Sequence, residues 1–279
     1  MNKKYTAIME DGVNDKRILL QFINWNNPIF DVGGSTGVLT FELASHRGHP
    51  IVISVEPDKE TFEVLQRNTE TFNNVKVVND TIQKILEPKR DMPINVVLSS
   101  VVHHMIKHRG EAYALLTRLF SDLPSGSRVL IRDGVRPSSH RESERIGLVC
   151  NPMSLNLAKE FFKRFGEWKF SKNMMNFNMR YKIDGCTVWA ERWLLVEMLL
   201  TITWGAESMI RECCEHYTIL GLNDYLNIFK SMDYNVLYAE AIIQPGYYEY
   251  LPKLGKLIND HGYEIPWPFT NQILAFEKQ

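Results

Sequence analysis

Up to about residue 135, apolar residues fall into two alternating rhythms. Short aliphatic, β-branched runs sit at 29–32, 51–55, 75–78, 94–98 and 128–132, the composition of strands buried on both faces. Between them, apolar positions recur every three or four residues, predicting helices over 15–22, 36–46 and 59–68. Breakers stand at the joints. Gly48 and Pro50 close the second helix, Pro93 precedes the fourth strand, and Pro124-Ser125-Gly126-Ser127 turns into the fifth. Strands and helices alternating through short links predict a doubly wound α/β sheet.

The rhythm changes after residue 135. Roughly a hundred residues separate the fifth strand from the next convincing strand pattern, at 235–243, where a minimal fold of this kind needs one helix. Helical periodicity predicts helices over 155–165, 188–204, 207–217 and 223–232, with an aromatic and methionine-rich stretch over 168–181. The apolar run at 271–277 has the content of a closing strand, and 246–269 is a further insertion with a helix near 251–259. The organisation expected is a core with an N-terminal helical lid over 1–135, a mostly helical inserted subdomain over 136–232, and closing strands over 233–279.

The joint after the first strand is the most informative. Ile29-Phe30-Asp31-Val32 runs into Gly33-Gly34-Ser35-Thr36-Gly37, a turn that needs residues able to reach positive φ and to let backbone approach a ligand. A dinucleotide fingerprint laid from Gly33 fails at Ser35 and Val38. The second strand ends in Glu56-Pro57-Asp58, and a carboxylate there can accept both hydroxyls of a ribose, or can cap the helix that starts near Lys59. The segment resembles motif I of class I S-adenosylmethionine-dependent methyltransferases, D-x-G-x-G-x-G, with Asp31, Gly33 and Gly37 matching and Ser35 replacing the middle glycine.

That resemblance implies a Rossmann-like methyltransferase sheet of seven strands, the last pair antiparallel with strand seven between five and six. It implies S-adenosylmethionine as cofactor, with S-adenosylhomocysteine as product. Asp31 would lie near the methionine part, Gly33, Gly34, Ser35 and Gly37 would line the turn, and Glu56 with Pro57 would meet the ribose. Asp80 and Thr81, after the third strand, fall where such enzymes grip the adenine amino group, although a turn or helix cap explains an aspartate there nearly as well. Tyr5, Met9 and Trp25 would add apolar cover.

The fourth strand opens into Ser99-Ser100-Val101-Val102-His103-His104-Met105, at the carboxyl end where open α/β sheets bind ligands. This is similar to the cofactor-and-substrate border of small-molecule methyltransferases and lacks the Asn/Asp-Pro-Pro-Tyr signature of enzymes acting on exocyclic base amines. Methyl transfer from a sulfonium depends mainly on alignment, and a general base is needed for a hydroxyl or a protonated amine. His103 and His104 are the candidates, each alternatively a packing or locally bonded histidine, and Asp133 could orient either one or an amine. Phe170, Met174, Met175, Phe177, Tyr181, Trp189, Trp193 and Trp204 would shape the acceptor site or form the core of the insertion. Glu191, Glu197 and Glu207 would anchor an amine or sit on exposed helix faces.

Composition narrows the class. The 279 residues are 44% hydrophobic and 23% charged, enough for a sizeable core. The first residues lack the apolar stretch of a signal peptide, and no apolar run is long enough for a membrane span, so a cytoplasmic protein without membrane partners is expected. Cys150, Cys186, Cys213 and Cys214 show no C-x-x-C spacing and read as reduced packing residues. No metal site is expected, with Asp133 the one residue that keeps it open. Net charge is −1, but residues 136–184 hold ten basic and five acidic residues while 185–279 hold six and twelve. The basic section is either a solvated surface or a face for an anionic substrate. The reading that results is methyl transfer to an N or O acceptor of a small molecule, with RNA modification and a non-catalytic cofactor-binding scaffold as alternatives.

Overall fold

The structure, a computed structural model, describes residues 13–86, 91–106, 109–171 and 179–279. Tyr5, Met9, Met174, Met175 and Phe177 lie outside them, as does the side chain of Phe170. By contacts the chain forms two compact units, one built from Val13–Asp133, Leu222–Glu240 and Gln272–Gln279, the other from Gly134–Gly221 and Ala241–Asn271.

The first unit is organised by a seven-stranded sheet in the order β3-β2-β1-β4-β5-β11-β9. Strands β1 (Ile29–Val32), β2 (Val52–Val55), β3 (Val75–Val78), β4 (Asn95–Ser99) and β5 (Arg128–Gly134) run parallel, and β1 is paired in register with both β2 and β4. Every residue of β1 is buried, as are four of the five in β4, because helices cover both faces. Helices α1 (Val13–Leu20), α2 (Val38–Ala44), α3 (Lys59–Thr69), α4 (Ile82–Leu86), α5 (Val102–Met105) and α6 (Arg109–Phe120) alternate with these strands. One strand runs against the rest. The end of β11 (Asn271–Lys278) bonds to the start of β5, with Lys278 N–H donating to Ser127 O, and Gln279 N–H donates to Asp233 O just before β9 (Tyr234–Ile242). Strand β11 therefore lies antiparallel between its neighbours, as the seven-strand pattern requires. Helix α10 (Leu222–Lys230) leads back into β9.

The second unit departs from the mostly helical insertion expected. It holds a four-stranded antiparallel sheet, β10-β6-β8-β7, built from β6 (Arg145–Cys150), β7 (Tyr181–Asp184), β8 (Thr187–Glu191) and β10 (Gly255–Asn259). Three expected helices are corrected. Residues 187–191 alternate half-buried and buried as a strand, so the helix predicted over 188–204 begins only at Arg192 and is α8 (Arg192–Ile202). The helix expected near 251–259 is α11 (Pro245–Leu254), which stops at Gly255, where a Cβ would overlap Val149 O and the chain joins β6 as a strand. Of 207–217 only α9 (Met209–Glu212) is helical. Helix α7 (Pro152–Ser171) is longer than predicted and packs Phe161, Phe162 and Phe165 with Leu194, Leu195 and Met198 of α8 against Leu148, Val188 and Leu257 of the sheet. Trp193 belongs to this core, and Tyr181 stacks on Phe162 with ring centroids 4.0 Å apart.

Among the described residues no helix is long and apolar enough to cross a membrane.

Candidate active site

The carboxyl ends of β1, β2, β4 and β5 bring the sequence-selected residues together on the first unit, since parallel strands point their C-termini the same way. At the end of β1 the turn reaches positive φ at Gly33 (69°), Ser35 (50°) and Gly37 (97°), conformations costly for a residue with a Cβ. Gly33 and Gly34 have a second reason in the packing of the chain itself. A Cβ on Gly33 would overlap Val101, and one on Gly34 would overlap Ser54 Oγ, so the chain itself fills the space.

Glu56 ends β2 and bridges two loops. Its Oε2 accepts from Ser35 N–H at 3.1 Å and its Oε1 from Asp58 N–H at 3.0 Å. It does not cap the following helix; Asp58 does, accepting from Thr61 N–H at 2.8 Å. Each Glu56 oxygen retains a second lone pair for a hydroxyl donor. Pro57 is exposed, and Asn79 Nδ2 ties its carbonyl and that of Glu56 to the end of β3. Asp80 Oδ1 accepts from Thr81 N–H at 2.7 Å and pairs with Lys84 at 3.3 Å, and the first of these bonds holds its carboxyl below the ordinary range. Asp80 thus makes the local bonds of a turn, and Thr81 is exposed beside it.

A buried charge network beneath the turn escaped the sequence reading. Asp31 is buried, accepts from Thr40 Oγ1 at 2.6 Å, and is pushed up to about 6, chiefly by burial. Lys16 on α1 is 8% exposed and lowered to about 8 by burial and by Arg132, with Asp15 and Asp31 opposing that shift. Among the described residues no hydrogen bond or ion pair engages its ammonium. Arg132 of β5 donates to Asp15 Oδ2 at 2.7 Å and to Ser100 Oγ, and Ser100 itself takes a positive φ of 58°. Asp15 Oδ1 and Ser99 Oγ are buried without a partner among the described residues. Nothing in the sequence marks Lys16, which reads as an ordinary polar position on a surface helix.

His103 and Asp133 form a buried pair. Asp133 Oδ2 accepts the His103 backbone N–H at 3.0 Å, and Asp133 Oδ1 bonds the ring Nδ1. Two contacts from one carboxylate fix the ring and favour the tautomer that carries its proton on Nδ1. His104 is exposed and lies against the His103 ring, centroids 4.2 Å apart. The two histidines, equivalent in the sequence, are thereby distinguished.

Other expectations are corrected. Trp25 precedes β1, at the amino end of the parallel strands, and stacks on His46 at 3.6 Å, so it does not cover the turn at their carboxyl end. Glu197 is not on an exposed helix face. It is fully buried in the second unit, where it accepts from Tyr217 N–H at 3.0 Å, Thr218 N–H at 2.8 Å and Thr218 Oγ1 at 2.7 Å. Glu191 accepts from Trp193 Nε1 at 2.8 Å, and Glu207 is exposed. In the basic section, Arg136 pairs with Glu142, Arg164 with Glu160 and Lys182 with Asp184, which offsets part of its charge.

The chain has the fold of class I S-adenosylmethionine-dependent methyltransferases, shown by its seven-stranded mixed sheet and by its match to solved structures of that class. It is similar to a protein of Bacillus halodurans C-125 provisionally described as a methyltransferase, with 12% identity, a TM-score of 0.53, and coverage of 95% of this chain and 99% of that one. It is also similar to magnesium protoporphyrin IX methyltransferase of Synechocystis PCC 6803, solved with bound S-adenosylhomocysteine, with 11% identity, a TM-score of 0.50, and coverage of 100% and 89%. The chain spans little more than half of some of the structures it matches, 53% of the pyocyanin biosynthetic protein PhzM at a TM-score of 0.47 for example. No protein-family model matches the chain, and no curated protein matches it.

Proposed function

We propose that the protein is an S-adenosylmethionine-dependent methyltransferase that methylates a hydroxyl oxygen of a small molecule. The fold is the background, and the observation that carries the proposal is the buried His103–Asp133 pair at the end of the strands where this fold places its chemistry.

The residues present suit the cofactor. S-adenosylmethionine supplies a methyl group already activated on a sulfonium, together with a ribose diol and a zwitterionic amino-acid end. Glu56 has free acceptor capacity for the diol while its two backbone donors hold it in place. The unengaged ammonium of Lys16, with Ser99 Oγ and Asp15 Oδ1 both lacking partners, suits a carboxylate and an ammonium. Asp31, buried beneath the turn, then acts through Lys16, holding its positive charge. Gly33, Gly34, Ser35 and Gly37 shape the turn, and Asp80 with Thr81 borders the adenine side.

An oxygen acceptor is favoured because a hydroxyl must lose its proton as it attacks, whereas a neutral amine need not. His103 Nε2 would take that proton, and the Asp133 carboxylate would stabilise the imidazolium that results. The test is transfer of labelled methyl from S-adenosylmethionine to a panel of phenols, alcohols and amines. The reading expects hydroxyl acceptors to be labelled, and His103→Gln to lower turnover about 10²–10⁴-fold with cofactor affinity retained. Labelling of amines alone, with His103→Gln fully active, would overturn it.

A further inference from the structure

Cys150 and Cys186 lie 36 positions apart and have no motif in common, yet the second unit brings them face to face. Strands β6 and β8 pair antiparallel with Val149 opposite Thr187, so the next step of the register sets Cys150 opposite Cys186. The ladder does continue that far, because Cys150 N–H donates to Cys186 O at 2.9 Å. Cys186 occupies the second place of the two-residue turn Gly185-Cys186 that joins β7 to β8. Directly opposed residues of a hydrogen-bonded antiparallel pair have Cα atoms about 5.5 Å apart, inside the span a disulfide bridges, and the Cys186 thiol lies close enough to Cys150 to bear on its ionisation. Cys213 and Cys214, adjacent in sequence, have no such cross-strand placement.

The two thiols also differ in the way an exchange reaction needs. Cys186 is exposed, while Cys150 is buried and directs its thiol at Leu148 O. Burial pushes the Cys150 thiol up, and the neighbouring Cys186 adds to that, so Cys186 is the first to react.

We propose that Cys150 and Cys186 form a reversible intramolecular disulfide by exchange with a low-molecular-weight disulfide such as oxidised glutathione, fastening the β7–β8 hairpin to the end of β6. The Cys186 thiolate attacks one sulfur of the glutathione disulfide, whose S–S bond breaks and releases one glutathione thiolate. Cys150 then loses its proton to solvent and attacks the Cys186 sulfur of the mixed disulfide, and the second glutathione leaves as a thiolate. The pair is oxidised by two electrons, and glutathione disulfide is reduced by two. The bond would close a long loop in the unfolded chain and so stabilise the unit whose cysteines it joins.

The whole protein is equilibrated in glutathione redox buffers, trapped by alkylation and mapped by mass spectrometry without reduction. The expected result is a single cross-linked product joining the peptides of Cys150 and Cys186, lighter by two hydrogens, and a melting temperature higher by roughly 5–10 °C than that of the reduced protein. Cys186→Ser, at an exposed position that leaves packing intact, should lose both effects, and Cys214→Ser should keep both. A glutathione adduct persisting on Cys186, a Cys213–Cys214 link in place of the cross-strand one, a dimer joined through Cys186, or no oxidation at all would each overturn the proposal.

Discussion

Lys16 and Asp31 are charged groups held where burial disfavours charge, and each destabilises the folded chain at neutral pH. For Asp31, the folded carboxyl sits at about 6 against 3.8 for an unperturbed one. Between those values the folded state binds the proton more tightly than the unfolded state, so this contribution to stability falls as pH rises from 4 to above 6. Lys16 is lowered to about 8 from 10.5, so the unfolded state binds more protons between those values and stability rises with pH there. Asp31→Asn is therefore expected to stabilise the protein at pH 7 by on the order of 2–3 kcal/mol, and by much less at pH 4. Chemical denaturation at the two pH values checks it; equal effects at both would show that the carboxylate bears no burial penalty. Retention of two such costly charges side by side fits a site selected for binding rather than stability.

At the scale of elements, what was legible in the sequence depended on how local the signal was. The five parallel strands and the glycine turn were readable because each carries its own period and its own breakers, and the order of the last two strands followed from the resemblance. Strand β8 was not readable, because Thr187–Glu191 runs straight into the apolar helix α8 and the alternation of five residues is lost in the longer pattern. Glu197 was misplaced for a related reason. Ten of the eleven residues of α8 are buried, so this helix has no polar face on which to put a carboxylate. Its donors are at 217–218, twenty residues onward, where no sequence pattern points. Glu197→Ala, which removes the acceptor of three hydrogen bonds, is expected to cost about 2–4 kcal/mol in the unfolding free energy. Glu197→Gln, which keeps one oxygen acceptor, should cost less. A loss within about 0.5 kcal/mol for the alanine variant, the ordinary range at uninvolved surface sites, would contradict this account.

On the scale of the whole molecule, the two units divide the work. The first carries the sheet, the turn, Glu56, the Lys16 network and the His103–Asp133 pair, so the residues proposed to hold the cofactor and accept a proton lie on one scaffold. The second has its own sheet and core and contains none of the residues proposed for the cofactor. The measurement that tests the central claim most directly is calorimetric titration of the protein with S-adenosylmethionine and S-adenosylhomocysteine, with Glu56→Ala and Lys16→Ala alongside. Saturable binding of both ligands is predicted, weakened about 10–100-fold in each variant as charge-assisted hydrogen bonds are removed. The Lys16→Ala loss should disappear when the ligand is S-methylthioadenosine, which keeps the ribose and lacks the amino-acid end. Absence of binding by the folded wild-type protein, or affinities unchanged in both variants, would contradict the account.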